Sequence, residues 1–225
     1  EVAVVTREGC QVRRLDGSAV DSAVHVIEDS YGVAEKGGFP HFMLKEIHEQ
    51  KRSILRCLRG RVQREEGNAK LGGLEMTPRD LVGINRVICI GCGTSYHAGL
   101  VGAMAVEKLA RVPARAEIAS EFRHRSPIVP RDALFLAISQ SGETLDTLGA
   151  VNEIQIKGGE VMGVINVVGS TIARACGRGV YVHSGPEIAV ASTKAFTSQL
   201  TALLVFTLML ARTRNLSLGR GQEVA

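Results

Sequence analysis

Three polar stretches hold the residues that could do chemistry: Gly91-Cys92-Gly93-Thr94-Ser95, Ser139-Gln140-Ser141-Gly142-Glu143-Thr144, and Ser184-Gly185-Pro186-Glu187 running on to Ala191-Ser192-Thr193-Lys194. The second is the sharpest. An apolar run over residues 134–138 stops at Ser139, and a helical pattern begins after Thr144. Hydroxyls and free backbone N–H groups at a helix start are what phosphate oxygens require. Ser and Thr also serve as plain N-caps, but a cap needs one such residue. Here Ser139, Ser141 and Thr144 gather with Gln140 around one helix start, which predicts a site for a phosphorylated small molecule.

Other chemistries fit less well. Gly91 and Gly93 begin a dinucleotide fingerprint, but Tyr96 occupies the third glycine position, where a bulky side chain blocks close helix–sheet packing. Glu117 stands where a ribose-binding acid would, yet glycines that admit a ligand, with Thr94 and Ser95 as donors, explain the loop without a nucleotide. Cys89 and Cys92 have redox spacing, but Cys89 falls inside an apolar strand, whereas a reactive pair exposes its first thiol at a helix start. No second pair at zinc spacing accompanies them. His97 and His183 read as surface or partly buried histidines, and Arg123, His124 and Arg125 as a solvated or subunit-facing cluster. Lys194 is expected either to add positive charge near the pocket or to pair with Glu187.

The positioning elements follow from periodicity. From Arg86 onward, strands and helices alternate: strands over 87–90, 114–118, 133–138, 161–165 and 180–183, and helices over 96–110, after Ser120, over 144–157, from Thr171, and over 193–212. Short strands apolar on both faces imply a parallel sheet covered on both sides, which binds ligands at its carboxyl edge. Residues 1–30 alternate apolar and polar around turns at Gly9 and Asp16-Gly17, a hairpin pattern. Residues 31–40 read as a linker. One or two amphipathic helices are predicted over 41–61, with Phe42, Ile47, Ile54, Leu55 and Leu58 as the apolar set, and a polar loop over 63–73.

Composition bounds the function. Apolar residues are 45% of 225, enough for a packed core, and 25 glycines with 4% aromatics suit many tight strand-to-helix turns. The net charge of +4 is spread without a dense basic block or interleaved aromatics, so nucleic-acid binding is not indicated. Five cysteines form no disulfide framework, which suits a reducing, cytoplasmic compartment. The longest apolar stretch, 200–211, is interrupted by Thr201 and Thr207 and is too short to span a bilayer, so no membrane role is expected. Both chain ends are read as cuts within a longer protein.

Five motifs, in order, carry a resemblance: residues 42–47 with Glu49-Gln50, then 92–95, 117–123, 139–144 and 190–197. Together they resemble the glutamine:fructose-6-phosphate aminotransferase (glucosamine-6-phosphate synthase) family, over nearly the whole chain, and residues 41–50 set this apart from generic sugar isomerase (SIS) domains. The resemblance implies an α/β fold, an SIS-type three-layer αβα sandwich on a five-stranded parallel sheet, preceded by a short β segment and linker helices. It divides the chain into 1–30, the end of a glutaminase domain; 31–85, linker and helical lead-in; 86–215, a first SIS subdomain; and 216–225, the start of a connector to a second. It implies that Ser139, Gln140, Ser141 and Thr144 hold a sugar phosphate. Cys92, Gly93, Thr94 and Ser95 would line the sugar, with Val190, Ala191 and Ser192 closing over it. The ligands implied are fructose 6-phosphate and glucosamine 6-phosphate, in a homodimer without metal or organic cofactor. Catalytic residues are expected outside this chain, in the glutaminase domain and the second SIS subdomain. Lys194 does not match the family's Schiff-base lysine. The alternative is a non-catalytic SIS module that senses sugar phosphates.

Overall fold

The computed structural model describes residues 1–21 and 35–225. Val24, Val26 and residues 31–34 of the predicted linker lie outside them. Two compact units emerge, residues 1–35 and 36–225. In the first, β1 (Val2–Val5) and β2 (Cys10–Arg13) form an antiparallel hairpin, and Arg13 bridges back to Ala19. This is the expected hairpin. Val2, Val4 and Val5 are exposed, so it buries little apolar surface by itself.

The second unit opens with α1 (Phe42–Leu58), one helix where one or two were predicted. Its orientation departs from the apolar set. The buried residues are Glu46, Ser53 and Cys57, whereas Ile47 and Leu55 are exposed. On that side Cys57 joins the core beside α7 and Glu46 finds the polar partners described below. The predicted polar loop over 63–73 holds a small antiparallel hairpin, β3 (Val62–Gln63) and β4 (Asn68–Ala69), and a 3-10 turn over Gly72–Leu74. A capping box between Thr77 and Asp80, with Pro78 at the first position, then starts α2 (Pro78–Gly83).

The alternating part follows as β5 (Arg86–Gly91), α3 (Gly93–Ala105), β6 (Ala114–Ile118), α4 (Ala119–His124), β7 (Ala133–Ser139), α5 (Leu145–Ile156), β8 (Glu160–Ile165), α6 (Thr171–Cys176), β9 (Gly179–Tyr181) and α7 (Lys194–Arg212). A π-helical turn over Val106–Ala110 extends α3, and α8 (Leu218–Val224) closes the chain. The five later strands form one parallel sheet in the order β6-β5-β7-β8-β9, as the pattern required.

Period-two alternation explains the unbroken apolar runs. Val87, Cys89, Leu134, Leu136 and Met162 face one core with α3 and α7, while Ile88, Ile90, Phe135, Ala137 and Val161 face another with α4, α5 and α6. Each fully buried Leu, Ile or Phe contributes roughly 1.5–3 kcal/mol to the fold. α7 has the length and hydropathy of a membrane span, beyond the interrupted run read from the sequence. It is instead a core helix: Ala202, Leu203, Phe206 and Leu210 are buried within the molecule.

Strand order fixes where a ligand can sit. From β5 the chain steps outward to β6, then crosses back to β7 on the other side. α3 consequently lies on one face and α5 on the other. In sheets of this kind the ligand crevice lies where the strand order reverses, here beside the carboxyl ends of β5 and β7.

Candidate functional site

Two of the three predicted loops meet at that crevice. The β5 loop passes straight into α3: Cys92 is the N-cap and makes no side-chain cap bond, and Gly93 has φ +54°, a conformation that favours glycine. Gly93 and Thr94 are exposed at a helix start, where the first N–H groups have no partner within the helix. Cys92 is half-buried, with the Thr147 hydroxyl 3.9 Å from its sulfur.

The β7 loop organises itself. The Gly142 N–H donates to Ser139 Oγ at 3.0 Å, and the Glu143 N–H donates to Ser141 Oγ at 3.1 Å. The Ser139 and Thr144 hydroxyls lie 3.3 Å apart. Gly142 has φ +68°, and a β-carbon there would fall 1.9 Å from Ser170 Oγ, so only glycine fits. Thr144 is the N-cap of α5, yet its hydroxyl makes no capping bond. Simple capping therefore does not account for this cluster of hydroxyls. Ser139 is buried, whereas Gln140, Ser141 and Thr144 are partly open to solvent.

Glu143 faces away from this cluster. Its Oε1 accepts the Thr171 N–H at 2.8 Å, tying the loop to the start of α6. The Thr171 contact holds its carboxyl below the usual carboxylate range.

The third loop is held from a distance. Asn166 Oδ1 accepts the Ser184 N–H at 2.8 Å, and Asn166 Nδ2 donates to Gly185 O at 2.9 Å. Glu187 accepts the Thr193 and Ala195 N–H groups at 2.8 and 3.1 Å, capping α7, and accepts the Ser192 hydroxyl at 2.8 Å. Val190 and Ala191 are exposed. Lys194 pairs not with Glu187 but with Glu49 of α1, at 2.6 Å, because the Glu187 carboxylate is occupied by N–H groups.

Three residues to which the sequence reading gave no role in the site, two of them within the motif at 42–50, tie these loops to the helices. Glu46 is 2% exposed and accepts the Ile188 N–H at 2.6 Å and the Ala189 N–H at 3.3 Å. Glu49 holds Lys194. Gln199, within α7, donates from Nε2 to Ser95 Oγ at 3.1 Å, leaving the Ser95 proton free to point elsewhere. A carboxylate in the buried phase of a helix was the available signal for Glu46, but its phase is not readable without the fold.

The competing chemistries find no support in the geometry. Cys89 is buried in β5, and burial pushes its thiol up to about 12, far from a reactive thiolate. Glu117 is occupied by Arg125 and Arg115 at 2.7 and 2.8 Å; burial acts to raise its carboxyl, but these hydrogen bonds prevail and hold it low. Arg123 reaches Asp146 at 3.6 Å. His97 is exposed. His183 lies at the end of β9, where desolvation and Arg61 lower its imidazole, beside a cavity of about 440 Å³ also lined by Arg61, Lys70 and Tyr181. A second cavity, about 470 Å³, runs along α1 between His48 and Arg59. Neither is lined by the hydroxyl loops. Among the described residues no His, Cys, Asp and Glu group of three or more could hold a metal.

Comparison with known proteins agrees with the architecture. The SIS domain model matches residues 80–209, starting at α2 rather than at β5. A glutamine–fructose-6-phosphate aminotransferase [isomerizing] of Chlorobaculum tepidum is 46% identical over 96% of this chain and 35% of its own length. The Thermus thermophilus protein of that name is 45% identical over 95% of this chain and again 35% of its length. The chain thus spans about a third of these curated relatives. The solved C-terminal domain of the glucosamine-fructose-6-phosphate aminotransferase from Francisella tularensis superposes with a TM-score of 0.78 at 37% identity, over 84% of this chain and 53% of that one. Glucosamine-6-phosphate deaminase from Thermotoga maritima, at 22% identity and TM-score 0.62 over 81% of this chain and 52% of its own, shares the fold.

Proposed function

Because the chain belongs to the SIS domain family, we propose that it is the sugar-phosphate-binding half of the isomerase part of a glutamine:fructose-6-phosphate aminotransferase. The parent enzyme would convert fructose 6-phosphate and glutamine into glucosamine 6-phosphate and glutamate. On this reading residues 1–30 end a glutaminase domain, 31–85 lead in, 86–215 form the first SIS subdomain, and 216–225 begin a connector. We place the parent in the cytoplasm as a homodimer, with the reacting groups supplied by the rest of the protein.

One observation carries the reading. Ser139, Ser141 and Thr144 surround the start of α5 at the strand-order switch, and the N-cap hydroxyl is not spent on the helix. Phosphate oxygens there would accept from the hydroxyls and the first-turn N–H groups, with the helix dipole adding attraction. The sugar would then extend toward residues 92–95 across the crevice, with residues 190–192 closing over it. Binding energy from the unreactive phosphate would orient C1 and C2 for chemistry performed elsewhere, which is how remote contacts raise a rate.

Titration calorimetry with fructose 6-phosphate tests this. Ser139→Ala, Ser141→Ala and Thr144→Ala should each weaken binding by about 1–3 kcal/mol, the range for charge-assisted hydrogen bonds. Unchanged affinity in all three would refute the phosphate assignment.

A further inference from the structure

We propose that Glu46 of α1 is a positioning residue for the sugar-contacting loop 188–192, a role that rests on the reading of the site given above. The loop has little else to hold it. Ile188 is 46% exposed, and Val190 and Ala191 are open to solvent, so burial of apolar surface does not fix it. Its described anchors are polar. Glu187 turns inward at one end to Ser192, Thr193 and Ala195. Lys194–Glu49 pins the start of α7. In the middle, both Glu46 carboxylate oxygens reach backbone: Oε1 accepts from Ile188 and Ala189, and Oε2 accepts from Ala189 at 3.3 Å.

Burying a carboxylate is costly unless its oxygens are satisfied. The two backbone partners of Glu46 would lose their acceptor if it were replaced, so the carboxylate and the loop depend on each other. What Glu46 does supply is direction. Two N–H groups aimed at one carboxylate fix the backbone immediately before Val190. The adjoining Lys194 fits the same view. It is buried in the first turn of a helix, where a cation opposes the dipole, and it is retained against a carboxylate of the same α1 face. α1 therefore acts as a brace: its polar face sets the loop, and the loop faces the sugar. Displacing a binding group by 1 Å can lower its effect by as much as about a hundredfold.

The test is a ligand split on the 225-residue chain. Wild type, Glu46→Ala and Glu46→Gln are titrated with fructose 6-phosphate and, separately, with inorganic phosphate. Phosphate engages only residues 139–144, whereas fructose 6-phosphate also needs the loop. Glu46→Ala should weaken fructose 6-phosphate about tenfold and leave inorganic phosphate within about twofold. Glu46→Gln, whose amide oxygen still accepts one N–H, should lose only about threefold. Equal losses for both ligands would mean a general structural role and would overturn the proposal, as would wild-type affinity in either variant. If Glu46→Ala does not fold by circular dichroism, the Glu46→Gln split decides alone. A wild-type chain that binds neither ligand would overturn the site reading itself, a result distinct from a wild type that binds both and a Glu46 that does not matter.

Discussion

The loop after β7 and the loop after β9 do comparable work by opposite means. The first is closed mostly within itself: Ser139, Ser141, Gly142, Glu143 and Thr144 bond to one another, and Gly142 and Glu143 add ties to the neighbouring α6. The second is held by Glu46 and Glu49, 142 and 145 positions away in sequence. A loop closed on itself and on one neighbouring helix depends little on distant parts of the chain. A braced loop follows its brace. Local closure thus sits where the proposed site would hold a phosphate, and long-range bracing where it would meet the sugar.

Gly142→Ala should produce the largest effect, and all of it on the first loop. The residue would need a left-handed backbone and would collide with Ser170, so we expect a loss of about 2–4 kcal/mol in unfolding free energy. Thermal unfolding by circular dichroism measures it. Phosphate affinity should fall with it. A tolerant loop would mean that the first region is not closed by its own geometry, and the contrast would disappear.

Lys194→Met attacks the second region and should have a middling effect. Glu49 is about a third exposed and can recover water, so the cost should lie below that of a fully buried broken pair, at about 1–2 kcal/mol. Chemical denaturation measures the loss. Inorganic phosphate binding should stay at the wild-type level, because the β7 loop makes no use of this pair.

The same division governs how much could be read from sequence. The sheet was legible because period-two burial writes itself as apolar runs over 87–90, 133–138 and 161–165. The hydroxyl cradle was legible because its partners are at most five residues apart. α1 was legible as a helix but not in its phase. Counting apolar residues turned Ile47 and Leu55 inward, and the structure turns Glu46, Ser53 and Cys57 inward. Glu46 pairs with backbone N–H groups, which leave no mark in the side-chain pattern. Pairing of Lys194 with Glu187, one of the two readings open for it, rests only on proximity along the chain, and in the structure the Glu187 carboxylate caps α7. The small hairpin at 62–69 was missed because two-residue strands carry no periodicity.

Glu143→Gln should give the smallest effect and the finest test of self-closure. Its carboxylate binds the Thr171 N–H, an intra-regional link between the β7 loop and α6, and it is exposed. Solvent screening keeps such a contact to a few tenths of a kcal/mol. The sign with pH separates it from noise. The folded-state carboxyl lies below its unfolded value, held there chiefly by Thr171. Its contribution is therefore present in full above the ordinary glutamate range and is lost as pH falls through the depressed folded value. Wild type should be slightly more stable than Glu143→Gln at neutral pH, and the gap should close on acidification. A gap that persists in acid would come from shape rather than charge, and the loop's closure would then owe nothing to the Glu143 carboxylate.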